Sequence, residues 1–246
     1  MNISDFSNAV GETAKTEKMP VLFVGHGNPM NAITDNIYRK GWAEMGAKLT
    51  PPRAILCISA HWLTRGTAVT MTPKPKTIHD FGGFPDELFQ VQYPAPGAVD
   101  YATLAITNIH SIKVHEDFEW GLDHGAWSVL KNMYPKADIP VFQLSIDYAK
   151  PPQYHFDLAR ELSSLRTKGL MIIASGNVVH NLRMMRFGEK QKPYDWALEF
   201  DALVKKSIEE NNATPLIEYQ KLGELATLAH PTNDHYLPLM YSLGLR

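Results

Sequence analysis

Four short apolar runs constrain this chain more than any other feature. They are Met19-Pro-Val-Leu-Phe-Val-Gly25, Ala54-Ile-Leu-Cys-Ile-Ser-Ala60, Ile139-Pro-Val-Phe-Gln-Leu-Ser-Ile146 and Gly169-Leu-Met-Ile-Ile-Ala-Ser175. Runs this short and this apolar, bounded by glycine or proline, read as strands buried on both faces. Thr67-Ala-Val-Thr-Met71 is a weaker, more polar candidate. Between them, residues 37–48, 99–110, 125–134, 154–168 and 194–210 place apolar residues at helical spacing. Buried strands alternating with amphipathic helices predict an α/β protein: a single domain with a central, mostly parallel sheet flanked by helices on both faces. No repeat or long linker divides residues 19–246, which are expected to form that domain. Residues 1–18 are polar without a sustained period, so a loosely ordered leader is expected, ordered only by docking on the body.

Composition removes several function classes. A chain of 246 residues with 44% hydrophobic residues can bury a sizeable core. Its net charge of -2 gives no basic footprint for nucleic acid or an anionic membrane. Cys57 is the single cysteine and lies within a predicted strand, so it is expected to be an inert buried thiol. A disulfide framework and a cysteine-cluster metal site are both excluded. No apolar run is long enough for a transmembrane helix, and the N-terminus does not read as a signal segment. A soluble, cytoplasmic protein is expected. The segment Arg183–Lys192 reads as a basic, solvated loop, and no signal for an oligomeric state stands out.

The placement of the ten histidines is more informative than their number. The first predicted strand runs into Gly25-His26-Gly27, the second into Ser59-Ala60-His61, and the last into Gly176-Asn-Val-Val-His180. Ligands of open α/β sheets bind just beyond the carboxyl ends of the strands. One such histidine is ordinarily structural, but three at equivalent ends point to a shared ligand. Neutral imidazole is the commonest metal ligand, and a metal offsets the cost of clustering imidazoles in an apolar site. The glycines flanking His26 allow close backbone approach. His235 is a fourth candidate, either solvent-facing or a ligand, in the first turn of a helix that Thr232 or Asp234 would cap and that runs toward Ser242. His230, before a proline, is less favoured. His124 opens another helix and reads equally as a substrate-polarising group or a core histidine. His79 lies in a Gly-rich aromatic loop that reads as a pocket wall or an ordinary surface loop. His110, His115 and His155 receive no role.

Other motif scans return little. Gly25-His-Gly27 is a fragment of a dinucleotide pattern, with Met30 at the place of the third glycine. There is no Walker loop, no Gly-x-Ser-x-Gly elbow to activate Ser59 or Ser175, and no His-Glu-x-x-His.

Several blocks together resemble the DODA-type, class III extradiol ring-opening dioxygenases, which are related to the protocatechuate 4,5-dioxygenase catalytic subunit. They are Gly25-His-Gly-Asn-Pro-Met30, Ser59-Ala-His-Trp62, Ile78-His-Asp-Phe-Gly-Gly-Phe-Pro85 and Tyr93-Pro-Ala-Pro-Gly97. Gly121-Leu-Asp-His-Gly-Ala-Trp127, Ser175-Gly-Asn-Val-Val-His-Asn181 and Pro231-Thr-Asn-Asp-His-Tyr-Leu-Pro-Leu239 complete the set. The resemblance runs from about Met19 to the end. It implies a single α/β domain and one divalent metal, Zn(II) or Fe(II), with His26, His61 and His235 as ligands. It further implies that His180 is an acid/base or an additional ligand, and that His124 lies beside the substrate. Where the wider superfamily has a carboxylate as third ligand, this sequence has His235 with Asp234 beside it. Look-alikes continue past Leu245-Arg246 through a strand-forming segment, so the domain is expected to lack that strand.

The implied activity is extradiol cleavage by O2 of a catechol such as L-DOPA, at the 4,5 position, giving a semialdehyde. His180 would take a catechol proton and assist a later step, and His124 would hydrogen-bond a reacting oxygen. His79, Phe81, Phe84 and Trp127 are expected pocket walls. Two alternatives stand beside this reading: a zinc-dependent hydrolase built on the same histidines, and a non-catalytic, Memo-like binding protein.

Overall fold

The structure, a computed structural model, describes residues 15–186 and 192–246. Most of the expected leader and residues 187–191 of the basic loop therefore lie outside the described residues. In chain order the strands and helices are β1 (Val21–Gly25), α1 (Ile37–Lys48), β2 (Ala54–Ser59), β3 (Leu63–Thr64), β4 (Thr67–Thr70), α2 (Asp86–Phe89), α3 (Val99–Asn108), β5 (Val114–Asp117) and α4 (His124–Met133). They continue with β6 (Val141–Gln143), β7 (Ile146–Asp147), α5 (Pro152–Glu161), β8 (Leu170–Gly176), α6 (Asp195–Glu209), α7 (Thr214–Ile217), α8 (Glu224–Ala229) and α9 (Leu237–Gly244).

The central sheet has the order β1-β8-β2-β6, and every pair in it is parallel. Alternate residues of its strands serve opposite cores, which explains why the apolar runs are continuous. Leu56 and Ile58 of β2 and Ile172 of β8 pack with α3, α5 and α9 on one face. Ile55 and Cys57 of β2 and Ile173 of β8 pack with α1 and α4 on the other. The single-domain α/β prediction holds, with helices on both faces. Cys57 is buried and free, as expected.

Register matters most for the site. Ser175 of β8 pairs with Val24 of β1 on one side and Ser59 of β2 on the other. The carboxyl ends of the three strands are therefore level, and His26 and His61 emerge side by side.

Three elements differ from expectation. The predicted strand over 139–146 divides into β6 and β7, because the Leu144 and Ser145 amides turn to bond Cys57 O and Ala68 O. β4 pairs not with the main sheet but with β5, a strand too polar to read as one. The predicted helix 154–168 breaks after Glu161 into a 3-10 segment, Ser163–Lys168, that ends at Gly169 with φ 90°. Ahead of β1, Thr16 N donates to Thr167 O and Met19 N to Arg166 O, so the end of the leader docks on this turn.

Candidate metal centre

Each histidine at the sheet edge is fixed by backbone before its side chain does any chemistry. His26 N donates to Gly176 O, extending the β1–β8 pairing by one residue, and Gly27 after it takes φ 58°. His61 follows a tight turn in which its amide donates to Ser59 Oγ and Ala60 N donates to Ser175 O. The segment bearing His235 is drawn to β8 because Asn177 N donates to His235 O. His180 N donates to Ala229 O, which aligns the loop after β8 with the end of α8.

His26, His61 and His235 form a nearly equilateral group, with ring centroids 5.0, 5.1 and 4.9 Å apart. His124 joins them from the start of α4, 3.9 Å from the His61 ring and 5.5 Å from His26. His180 is stacked flat on His235 at 3.4 Å and 11°. The ligand atoms of His180, Asp234 and His235 lie within 4.8 Å of one another, as do those of His26, His61 and His124. These five histidines meet at one cavity.

The hydrogen-bond network assigns the protons. Ser175 Oγ donates its only hydrogen to Gly125 O, so it must accept from His26 Nδ1, 2.9 Å away. Asp80 Oδ2 lies 3.2 Å from His61 Nδ1, and Asp234 accepts from His235 Nδ1. A proton on Nδ1 leaves each Nε2 with a bare lone pair. Yet the Nε2 atoms of His26 and His61 face each other at 3.1 Å. Two lone pairs repel at that separation unless a proton or a cation lies between them.

His61, whose Nδ1 is in charge contact but not hydrogen-bonded with Asp80, can carry its proton on Nε2 and donate to His26 in the metal-free centre. A second proton, which would make an imidazolium, is disfavoured. Burial, reinforced by the neighbouring imidazoles, lowers His26 well below the usual histidine range and His61 to about 3. A cation fits. The span matches two bonds of about 2.1 Å, an ordinary imidazole–zinc length, meeting at one ion. Carboxylate or hydroxyl partners behind each ligand are the usual support of such a centre.

Asp80 and Asp234 hold their protons weakly. Burial alone would raise Asp80, but its bonds and charge contacts with His124 and His61 outweigh that and keep it below the usual carboxylate range. Asp234 is likewise held below that range: its bonds to His235 and Thr232 overcome burial. Burial also lowers His180, to about 4. This engagement of Asp234 corrects one expectation. The helix toward Ser242 begins at Leu237 with no side-chain cap, and His235 lies in the turn before it. The carboxylate that would have capped the helix bonds the imidazole instead.

A cavity of about 670 Å³ opens over the histidines. Phe84 lines it. His79, Phe81 and Trp127 do not. Trp127 is fully buried with its indole donating to Ile78 O, His79 Nε2 lies 3.0 Å from Val91 O, and Phe81 packs behind His124. Val179, Tyr194 and Trp196 also line it, with no role expected from the sequence. Asp80 and the acceptor role of Ser175 were likewise not foreseen. An acid inside the His79-Asp-Phe81 block was the available signal, since metal-bound imidazoles lean on carboxylates. His155 and His230 are buried structural residues, bonded to Tyr241 Oη and Val178 O.

The chain is similar to several known proteins. The family model described as the catalytic LigB subunit of aromatic ring-opening dioxygenase matches residues 20–246. The 4,5-DOPA dioxygenase extradiol of Escherichia coli K12 is 49% identical over 231 residues, covering 92% of this chain and 85% of that protein. The proteins of the same name from Beta vulgaris and Mirabilis jalapa are 36% and 32% identical, with 91% and 90% of this chain and 85% of each relative covered. A crystal structure of an uncharacterized protein of Escherichia coli K12 superposes with a TM-score of 0.79 at 45% identity, covering 92% of this chain and 88% of that one. The chain therefore belongs to the family of the catalytic LigB subunit of aromatic ring-opening dioxygenases, the metal-dependent extradiol class whose motifs it carries.

Proposed function

We propose that this protein opens the ring of a catechol, L-DOPA or a close relative, by extradiol 4,5-cleavage with O2, at one divalent cation held by His26, His61 and His235. The carrying observation is the convergence of three imidazoles whose Nδ1 atoms are already engaged by Ser175, Asp80 and Asp234. When bound, the cation acts as a Lewis acid toward the deprotonated diol and, as Fe(II), as a route for electrons to dioxygen.

The remaining work falls to the chain. His180, neutral at pH 7 because burial lowers it to about 4, accepts a catechol proton at the cavity wall. His124, with Nδ1 donating to Asp80, offers Nε2 to a substrate hydroxyl. Phe84 presents an apolar face to the substrate and helps keep water out.

Anaerobic loading with Fe(II), followed by L-DOPA and other catechols in air, is expected to give a yellow ring-fission product. Iron-loaded protein that converts no catechol overturns the proposal. His180→Gln should keep its metal while turnover falls at least ~100-fold; lost metal would instead make His180 a ligand. Zn(II) also suits three imidazoles and would serve hydrolysis, which proceeds without O2. Dependence on oxygen separates the two chemistries.

A further inference from the structure

Asp80 touches two of the site histidines at once and contacts no reacting atom in the chemistry above. Its Oδ2 accepts from His124 Nδ1 at 2.9 Å and lies 3.2 Å from His61 Nδ1, while its Oδ1 accepts from His124 N at 2.8 Å. From this geometry we infer that Asp80 is a positioning residue that couples the metal ligand His61 to the substrate-side His124 through a single carboxylate. The inference rests on the metal-centre reading above and adds to it the link between the two rings.

Electrostatics carries the argument. A lone pair on either Nδ1 would face the carboxylate oxygen at these distances and be repelled. A proton on His124 Nδ1 makes the hydrogen bond, and one on His61 Nδ1 is attracted to the same oxygen, so one anion favours that tautomer in two rings whose centroids are 3.9 Å apart. Both rings then present a bare Nε2, one for the cation and one for the cavity. The neighbouring carboxylate cannot take over this task. Asp123 is fully buried and occupied by Ser59 Oγ, by Gln143 Nε2 and by the Ala126 amide at the start of α4.

The chain is built to hold Asp80 in place. Its loop is zipped onto the segment leading into α4: Leu122 N donates to Lys76 O, Ile78 N to Leu122 O, and Trp127 Nε1 to Ile78 O. Only glycine allows that approach, because a Cβ on Gly121 would lie 2.0 Å from Lys76 O. Phe81 packs on His124, and His79 is anchored at Val91 O. The aromatic loop, which lines the cavity through Phe84, is also the mount for this carboxylate.

Asp80→Asn is a close test because it keeps the shape and replaces one acceptor by a donor. With the amide nitrogen at Oδ1, donor faces the His124 amide. With it at Oδ2, the rings must move their protons to Nε2, where His61 needs a lone pair. The variant is expected to raise the Zn(II) and Co(II) dissociation constants about 10- to 100-fold in chelator competition. Long-range 1H–15N spectra of the zinc-loaded protein should also show the His124 proton leaving Nδ1. Asp80→Glu, which keeps two acceptors, should recover most of the affinity.

Wild-type metal affinity in Asp80→Asn overturns the inference. So does a His124 proton that stays on Nδ1, since the shared anchor requires both reporters to move. Should Asp80→Asn fail to fold, the wild-type spectrum decides: a proton on Nε2 of His124 in the zinc-loaded protein refutes it. Protein that binds metal as expected but opens no catechol overturns the dioxygenase proposal and leaves these two readouts decisive.

Discussion

At the level of single residues, the site is a problem in proton placement. Three imidazoles converge with a hydroxyl or carboxylate beside each Nδ1, an arrangement that suits a cation between their Nε2 atoms. Ser175 shows how narrow the arrangement is, because its one hydrogen goes to Gly125 O and forces it to accept from His26. Ser175→Ala should therefore loosen His26 and raise the metal dissociation constant about tenfold with little change in fold; chelator competition and circular dichroism measure the two effects. The histidines were legible in the sequence because each follows an apolar run directly. Their acceptors were not, because Asp80 lies 44 positions from His124 and Ser175 lies 149 from His26.

Two residues outside the centre yield a pH prediction. Burial lowers His155 and His230 to about 4 in the folded protein, whereas in the unfolded chain they regain an ordinary value near 6.5. Between those values the unfolded state binds more protons, so the contribution to stability is complete above about pH 6.5 and is lost as pH falls toward 4. Each group contributes at most ~1.4 kcal/mol per pH unit within that window. Urea midpoints should consequently fall between pH 7 and pH 5, and His155→Gln should flatten the dependence. An unchanged slope would show that burial of His155 is not its source.

Among the elements, β8 is the decisive one. It lies between β1 and β2, pairs with both at Ser175, and binds the His235 segment through Asn177. Gly176 makes that last approach possible, since a Cβ there would stand 2.3 Å from His235 O. Gly176→Ala is expected to push the His235 segment off the strand, costing roughly 1–3 kcal/mol in stability and weakening metal binding. Gly82→Ala is the control, because nothing lies within 4 Å of a Cβ there. Thermal unfolding and metal titration of the pair check both claims. Element types were legible wherever periodicity was strong, as in β2, β8, α1 and α6. The β6–β7 split and the β4–β5 pairing were not, because both depend on backbone bonds to distant segments rather than on local pattern.

For the molecule as a whole, the proposed centre would act as a clasp. Its proposed ligands follow β1 and β2 and precede α9, so a cation held there would join segments far apart in the chain. Metal that binds only the folded state should stabilise it by about 2.7 kcal/mol at a hundredfold excess over its dissociation constant. For a chain of this size that corresponds to a Tm rise of roughly 5–10 °C. His26→Ala and His235→Ala should each abolish the shift, and a metal-induced rise persisting in both would place the cation elsewhere. No helix among the described residues is long and apolar enough to cross a membrane.

Apolar runs, helical periods and the histidines that close each strand are properties of short segments. The sequence alone therefore determined an α/β domain with imidazoles along one edge of its sheet. The order β1-β8-β2-β6, the carboxylate or hydroxyl behind each ring, and the choice of Phe84 over Trp127 as cavity wall were decided by packing between segments far apart in the chain. A hydrophobic period reports only which face of its own segment is buried. A hydrogen bond needs the positions of both partners, and those exist only once the layers have closed.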